Sequence, residues 1–268
     1  MAIQLRCGSI SLLVMNSMLA QPVQNAKRGC MMRVPSPGDK VGTSFPKAWW
    51  SQIFREDKML QFESLGSQEP DYLAVLIHGY GADGHDLIGL ANPLAPYLPK
   101  GLFLSPHAPH PVAGMGPGRE WFPLQSLQPR EFNEGVVKAA PQLTAFLGQQ
   151  LESFDLSWDK LLLIGFSQGT MMSLEVGLRL PKAPLGIIGF SGALPGPDRL
   201  ADEISCKPPV LLVHGDADPV VPVDASQRAH RLLQEVGVNS SLHISPNCPH
   251  SIAPDGLAQA ASFIQKHI

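Results

Sequence analysis

Charge is scarce in this chain and nearly balanced: charged residues make up 16% of 268, with 20 basic against 23 acidic side chains. The formal net charge of −3 is spread without a basic stripe, so nothing offers an electrostatic footprint for a nucleic-acid backbone. A small neutral or apolar substrate fits such a surface better. Cysteine is equally sparse. Cys7, Cys30, Cys206 and Cys248 fall in no C-x-x-C or C-x-x-H spacing, which points to free thiols and away from a structural zinc or a disulfide framework. No apolar run is long enough for stable membrane insertion: residues 10–20 are interrupted by serine and asparagine, and a spanning helix needs about 20 apolar residues. What the chain does have is core material, 44% hydrophobic residues, enough for one large α/β domain.

The first 38 residues read differently from the rest. They carry Arg6, Lys27, Arg28 and Arg33 but no aspartate or glutamate. Such a leader resembles a poor signal peptide, a transit sequence or a disordered tail from an upstream start. The tail is favoured, because Met59 opens a stretch that runs directly into the first strand, and Pro35-Ser36-Pro37-Gly38 has linker character. The expected organisation is a leader or disordered extension over residues 1–58 and a catalytic domain over 59–268, with a cytoplasmic location.

From Met59 onward, apolar strand-length runs alternate with helical patterns. Strands are expected at 72–77, 101–104, 160–164, 185–189, 210–213 and 241–244. Helices are expected at 134–151, 168–180, 225–236 and 257–266; Pro141 should kink the first of these or mark its true start, and Pro181 should stop the second. Continuous apolar strands separated by helices imply a mostly parallel central sheet with helices on both faces. Ligands bind such sheets at the carboxyl ends of the strands.

The candidate chemistry falls at those ends. Gly165-Phe166-Ser167-Gln168-Gly169 follows one strand and opens a helix, the setting in which a serine hydroxyl becomes a nucleophile. In a chain with 25 glycines the pentapeptide alone is a weak sign, and context decides. The next-but-one strand leads into His214-Gly215-Asp216-Ala217-Asp218-Pro219, and the last into Pro249-His250-Ser251. The order Ser167, Asp218, His250 is the nucleophile, acid, base order of α/β-hydrolases. Asp216 is the competing acid; Asp218 is preferred because it precedes the turn Pro219 would make, leaving Asp216 to form a turn of its own. Ser191, in Gly189-Phe190-Ser191-Gly192, imitates the elbow but lacks a following helix pattern, and Cys248 reads as a small packing residue.

A tetrahedral intermediate also needs donors for its oxyanion. One should be the backbone N–H of Gln168 at the start of its helix; the other should be that of Tyr80, in the glycine-rich loop His78-Gly79-Tyr80-Gly81-Ala82-Asp83-Gly84. No P-loop lysine follows these glycines, so a phosphate cradle is excluded.

Taken with Gly118-Arg119-Glu120-Trp121-Phe122, these motifs make residues 59–268 resemble the phospholipase/carboxylesterase family of α/β-hydrolases, which includes acyl-protein thioesterases and, as the nearer likeness, small bacterial carboxylesterases. The resemblance implies cofactor-free hydrolysis of carboxylic esters or thioesters of short to medium acyl chains, lysophospholipids included, with no metal. It carries the triad onto Ser167, Asp218 and His250, and the oxyanion donors onto Tyr80 and Gln168. Glu120 departs from the glutamine usual in bacterial members and puts negative charge near the acyl site.

Only about 20 residues separate the expected strands at 185–189 and 210–213, too few for a separate lid domain, so an open cleft is expected. Its wall should be the proline- and glycine-rich segment 105–130, with Trp121 and Phe122 as substrate contacts and Arg119 paired with a carboxylate. An open apolar cleft is compatible with a homodimer, although no segment demands one. A catalytically silent hydrolase fold used for binding is the competing class, and it would be expected to have lost a triad position.

Overall fold

The computed structural model describes residues 60–124 and 129–268, with the side chains of 129–132 excepted. The expected leader over residues 1–58, with Cys7 and Cys30, lies outside the described residues. Within them a seven-stranded sheet has the order β1-β3-β2-β6-β7-β8-β9, in which β1 is Phe62–Gly66, β2 Tyr72–Ile77, β3 Gly101–Pro106, β6 Leu161–Phe166, β7 Gly186–Phe190, β8 Val210–Gly215 and β9 Ser240–Ser245. From β3 through β9 every neighbouring pair is parallel; only β1 runs antiparallel, against β3. Two short strands, β4 (His110–Pro111) and β5 (Arg119–Glu120), pair as a separate ribbon. The helices are α1 (Gly84–Ile88), α2 (Ala91–Leu94), α3 (Pro129–Ser153), α4 (Gln168–Gly177), α5 (Leu200–Glu203), α6 (Asp224–Glu235) and α7 (Pro254–His267).

The central strands are apolar on both faces because both faces are covered. Leu73, Val75 and Ile77 of β2 point into one cluster with Val136, Phe146 and Leu147 of α3, Met171 and Leu174 of α4 and Leu233 of α6. Ala74 and Leu76 point the other way, to Leu87 of α1, Leu94 of α2 and Phe263 and Ile264 of α7. Alternation of Cβ direction along a strand therefore feeds two cores from one sheet.

Three expectations needed revision. β1 escaped the sequence reading because most of its residues are exposed, so no apolar period marks an edge strand of this kind. Of the two roles expected of Pro141, marking the true start of the helix is ruled out, since α3 begins at Pro129 and runs through it. The carbonyl that Pro141 leaves without an N–H donor belongs to Val137, a residue 41% exposed, where water can take its place. α4 ends at Gly177, one turn before Pro181, and Leu178 and Leu180 leave the helix to bury themselves in the core.

No lid domain interrupts the region between β7 and β8. Residues 191–209 contain a 3-10 turn and the four-residue α5. A buried carboxylate ties them down: Glu175 of α4 takes Arg199 at 3.2 Å and Arg179 at 3.1 Å, and Gly196 N–H donates to Asn133 Oδ1 at 2.9 Å.

Candidate active site

Ser167 sits between β6 and α4 with φ 54° and ψ −115°, a conformation that a side chain rarely tolerates and that costs roughly 1–3 kcal/mol. The flanking glycines are forced by contact. A Cβ on Gly165 would lie 2.4 Å from Gly169 O, and one on Gly169 would lie 1.8 Å from Ile77 O. The turn is locked by Ser167 N–H donating to Phe190 O (2.8 Å) and by Thr170 Oγ1, which donates within reach of both Gly165 O (2.9 Å) and Phe190 O (2.8 Å).

β8 and β9 bring the other two residues to the same end of the sheet. His250 Nδ1 donates to Asp218 Oδ2 at 2.7 Å, while Asp218 Oδ1 accepts the N–H groups of Val220 (2.8 Å) and Val221 (2.9 Å). The Asp218 side chain has no exposed surface, whereas Asp216 is exposed. Burial alone would raise the Asp218 pKa. The hydrogen bonds from His214 and His250, the charge of His250 and the Val221 N–H outweigh burial and hold the carboxyl below its ordinary range. The turn that sequence reasoning gave to Asp216 is thus made by Asp218 with the two valine amides. His250 Nε2 is buried and has no hydrogen-bond partner among the described residues. Its ring lies 4.9 Å from that of Phe166, a packing role that the variable position of G-x-S-x-G gave no means of anticipating. Ser167 and His250 keep 7% and 9% of their surface, so the expected open cleft narrows at the reacting groups.

The loop after β2 is held from beneath. His78 is wholly buried; its Nδ1 donates to Gly79 O (2.8 Å), its Nε2 accepts Ala108 N–H (3.0 Å), and its carbonyl accepts the Trp121 indole N–H (3.0 Å). Burial pulls its pKa down to about 4, so the ring is neutral at ordinary pH. Gly81 N–H donates to Arg119 O at 2.9 Å, and Arg119 N–H returns a bond to Ala82 O at 2.9 Å. The backbone N–H groups of Tyr80 and Gln168 donate to no group among the described residues. Burial, reinforced by the Glu120 carboxylate, raises the pKa of the Tyr80 phenol; burial also raises that of Glu120.

Segment 105–124 differs from expectation in two respects. Among the described residues Arg119 pairs with no carboxylate: its guanidinium donates to the carbonyls of Ala108 and Pro109. Trp121 and Phe122 are only 1% and 2% exposed and belong to the core beneath the loop, rather than forming a wall open to substrate. The Gln168 side chain clamps them, accepting Trp121 N–H (2.9 Å) and donating to Phe122 O (2.8 Å). This clamp by the Gln168 side-chain amide was not anticipated; only its backbone N–H entered the sequence reading. Ser191 follows β7 with φ 49° and is followed by no helix; Cys206 and Cys248 are free thiols.

Among the described residues, Glu63, His85 and His107 place potential metal-ligand atoms within 4.8 Å of one another. Gly84 N–H donates to His107 Nδ1 (3.2 Å), which puts the neutral ring's proton on Nε2, facing Glu63 Oε1 at 3.4 Å. A metal on Nε2 would drive that proton to Nδ1, against the Gly84 N–H. The three side chains fit a hydrogen-bonded cluster better than a ligand set.

A profile of the phospholipase/carboxylesterase family matches residues 64–268. The chain belongs to that family. It is an α/β-hydrolase, an enzyme of the carboxylesterase and thioesterase type. This family member is 29% identical over 216 residues to acyl-protein thioesterase 1 of Gibberella zeae, covering 72% of this chain and 89% of the relative. It is 30% identical over 205 residues to the protein of that name in Schizosaccharomyces pombe, covering 71% and 88%. Among solved structures, esterase PE8 superposes with a TM-score of 0.76 at 42% identity, over 78% of this chain and 100% of that one. The Bacillus cereus carboxylesterase, with a TM-score of 0.66 at 16% identity over 84% and 100%, shares the fold.

Proposed function

We propose that Ser167, His250 and Asp218 form a catalytic triad that hydrolyses carboxylic esters or thioesters of short to medium acyl chains through an acyl-enzyme. The observation that carries this reading is the 2.7 Å bond from His250 Nδ1 to a wholly buried Asp218 carboxylate, which leaves the buried His250 Nε2 without a partner among the described residues, on a ring that lies 4.9 Å from that of Phe166, the residue before Ser167. Asp218 fixes the tautomer with the proton on Nδ1, so Nε2 presents a lone pair. That lone pair takes the Ser167 proton as Oγ attacks the carbonyl carbon. The imidazolium then gives the proton to the departing alcohol or thiol, and water repeats the sequence to release the acid. The unpaired N–H groups of Tyr80 and Gln168 are the proposed oxyanion donors, the second aided by the helix it opens. Trp121 and Phe122 support this site by anchoring the loop that Gln168 clamps.

The acyl-protein thioesterase names of the relatives favour a second reading of the substrate, a thioester on a protein, and the family's phospholipase description a third, a lysophospholipid, on the same triad. Among the described residues no helix is long and apolar enough to cross a membrane. A cytoplasmic location, a homodimer, a domain boundary at residues 58/59 and the absence of nucleic-acid partners complete the reading. Labelling with a fluorophosphonate probe tests it: the wild-type chain should label and Ser167→Ala should not. A chain that fails to label, or labels equally as Ser167→Ala, would leave a non-catalytic binding module. Acyl esters and thioesters of increasing length then distinguish the substrate readings.

A further inference from the structure

The Asp218 carboxylate is shared by two imidazoles, and only one of them belongs to the triad. His214 is the penultimate residue of β8, four residues before Asp218, and its side chain has no exposed surface. Its Nε2 stands 2.8 Å from Val221 O and 3.3 Å from Asp218 Oδ2. A carbonyl and an ionised carboxylate are both acceptors, so the atom facing them must carry a proton. On the far side of the ring, Nδ1 lies 2.7 Å from Ser226 Oγ of α6, and that hydroxyl lies 3.2 Å from Gly192 O. If the imidazole is neutral, Ser226 donates to Nδ1. If it is charged, Nδ1 donates to Ser226 and Ser226 to Gly192. In both states the proton on Nε2 stays where it is.

We propose that His214 is a positioning residue for the triad: a second, permanently donating imidazole on Asp218 that holds the carboxylate in place and moderates its pull on His250. The inference rests on the triad reading above. The carboxylate then has two backbone amides on Oδ1 and the His250 ring on Oδ2, with the His214 Nε2–H, whose shorter contact is Val221 O, as a longer second contact to Oδ2 at 3.3 Å. Each additional donor disperses negative charge that would otherwise act on the His250 imidazolium. It also removes the rotation that a carboxylate held on one edge would retain. The His–Gly–Asp–Ala–Asp spacing accounts for the geometry, since a residue near the end of a strand and one four residues later in the turn can meet across the loop.

Few other ionisable groups compete for this role. Asp216 of the same loop and Asp224 at the start of α6 are exposed. On the β9 and α7 side, His243 is committed to Asp255 at 2.8 Å. The Cys248 thiol, in the loop that carries His250, is turned to Pro249 O (3.3 Å) and Ser251 Oγ (3.4 Å). Among the described residues Asp218 is the ionisable group in contact with His214, and it links that ring to His250.

The test compares the pH dependence of kcat/KM for wild type, His214→Phe and His214→Gln on a short-chain ester, with fluorophosphonate labelling of each. Phenylalanine keeps the ring but removes the donor, so the His250 imidazolium should be better stabilised. The acid limb should then move up by about half to one pH unit, with kcat reduced about 2–10-fold. Glutamine can present an N–H near the position of Nε2 and should return the limb most of the way. An unmoved limb in His214→Phe, or one moved to lower pH, overturns the proposal. Should His214→Phe fail to fold, nitrogen-15 resonances of the wild-type histidines decide: Nε2 of His214 must remain protonated across the active pH range, and an unprotonated Nε2 refutes its role as donor. Failure of the wild type to label at Ser167 would instead overturn the triad itself.

Discussion

Two adjacent strands of this sheet end in almost the same way. β6 closes with Gly165-Phe166-Ser167 and β7 with Gly189-Phe190-Ser191; the two serines have φ of 54° and 49°. Each donates its N–H to a neighbouring strand, Ser167 to Phe190 O at 2.8 Å and Ser191 to Val213 O at 2.9 Å. Beyond that the two turns part. After Ser167 a ten-residue helix begins at once, the Gln168 N–H has no partner among the described residues, and the Phe166 ring packs 4.9 Å from that of His250. After Ser191 the chain wanders through Gly192, Ala193, Leu194 and Pro195; the Ser191 hydroxyl is 1% exposed and without a partner. Strain at a serine is therefore common to both turns. The helix that follows Ser167, and the packing of Phe166 against His250 from the loop after β9, separate one turn from the other.

The comparison can be broken at its strongest point first. Replacing Ser167 with alanine should lower kcat by about 10⁴-fold or more, as removal of a nucleophile does in triads of this type, with folding unchanged. Retention of a tenth of the activity in a purified sample would show that the elbow is not the reacting turn. Gly169→Ala asks whether the helix must begin so close to β2. Its Cβ would meet Ile77 O at 1.8 Å, so a loss of about 3 kcal/mol or failure to fold is expected, measured by urea denaturation. A smaller loss would mean that the turn can open.

A third measurement concerns the support beneath the elbow. His78 has a pKa of about 4 when folded against 6.5 as a free side chain, so the unfolded chain binds more protons between those values. Its contribution is fully present above about pH 6.5 and is lost as pH falls toward 4, about 3 kcal/mol in all. The urea midpoint should fall across that window, and His78→Gln should flatten the slope; an equal slope in both proteins would refute the assignment. The smallest effect belongs to the imitation elbow: Ser191→Ala should change kcat/KM by less than about twofold, because its hydroxyl bonds to nothing. A loss approaching that of Ser167→Ala would erase the distinction between the turns.

Much of this was legible in the residues. Apolar runs bounded by glycine and proline located the parallel strands within one or two positions, because strands buried on both faces leave an uninterrupted pattern. β1 was invisible for the opposite reason: it sits at an edge with most of its side chains in water. Trp121 and Phe122 were assigned by composition to a substrate wall, but an aromatic residue in a loop reads the same whether it faces the cleft or the core. Burial and the Gln168 clamp show which way they face. Arg119 was given a carboxylate on charge alone and found carbonyls instead, since no acidic side chain lies in the fork it reaches.

The sequence by itself determined the fold class, the position of the strained turn and the order of Ser167, Asp218 and His250 at successive strand ends, because glycine spacing and strand periodicity are local properties of the chain. Only the tertiary structure decided that Asp218 rather than Asp216 receives His250, that Phe166 packs on the base, and that His214 shares the carboxylate. These relations join β8 to β9, β6 to the loop after β9, and β8 to α6. They depend on which strands lie side by side, and contacts across a sheet leave no trace in the spacing of residues along it.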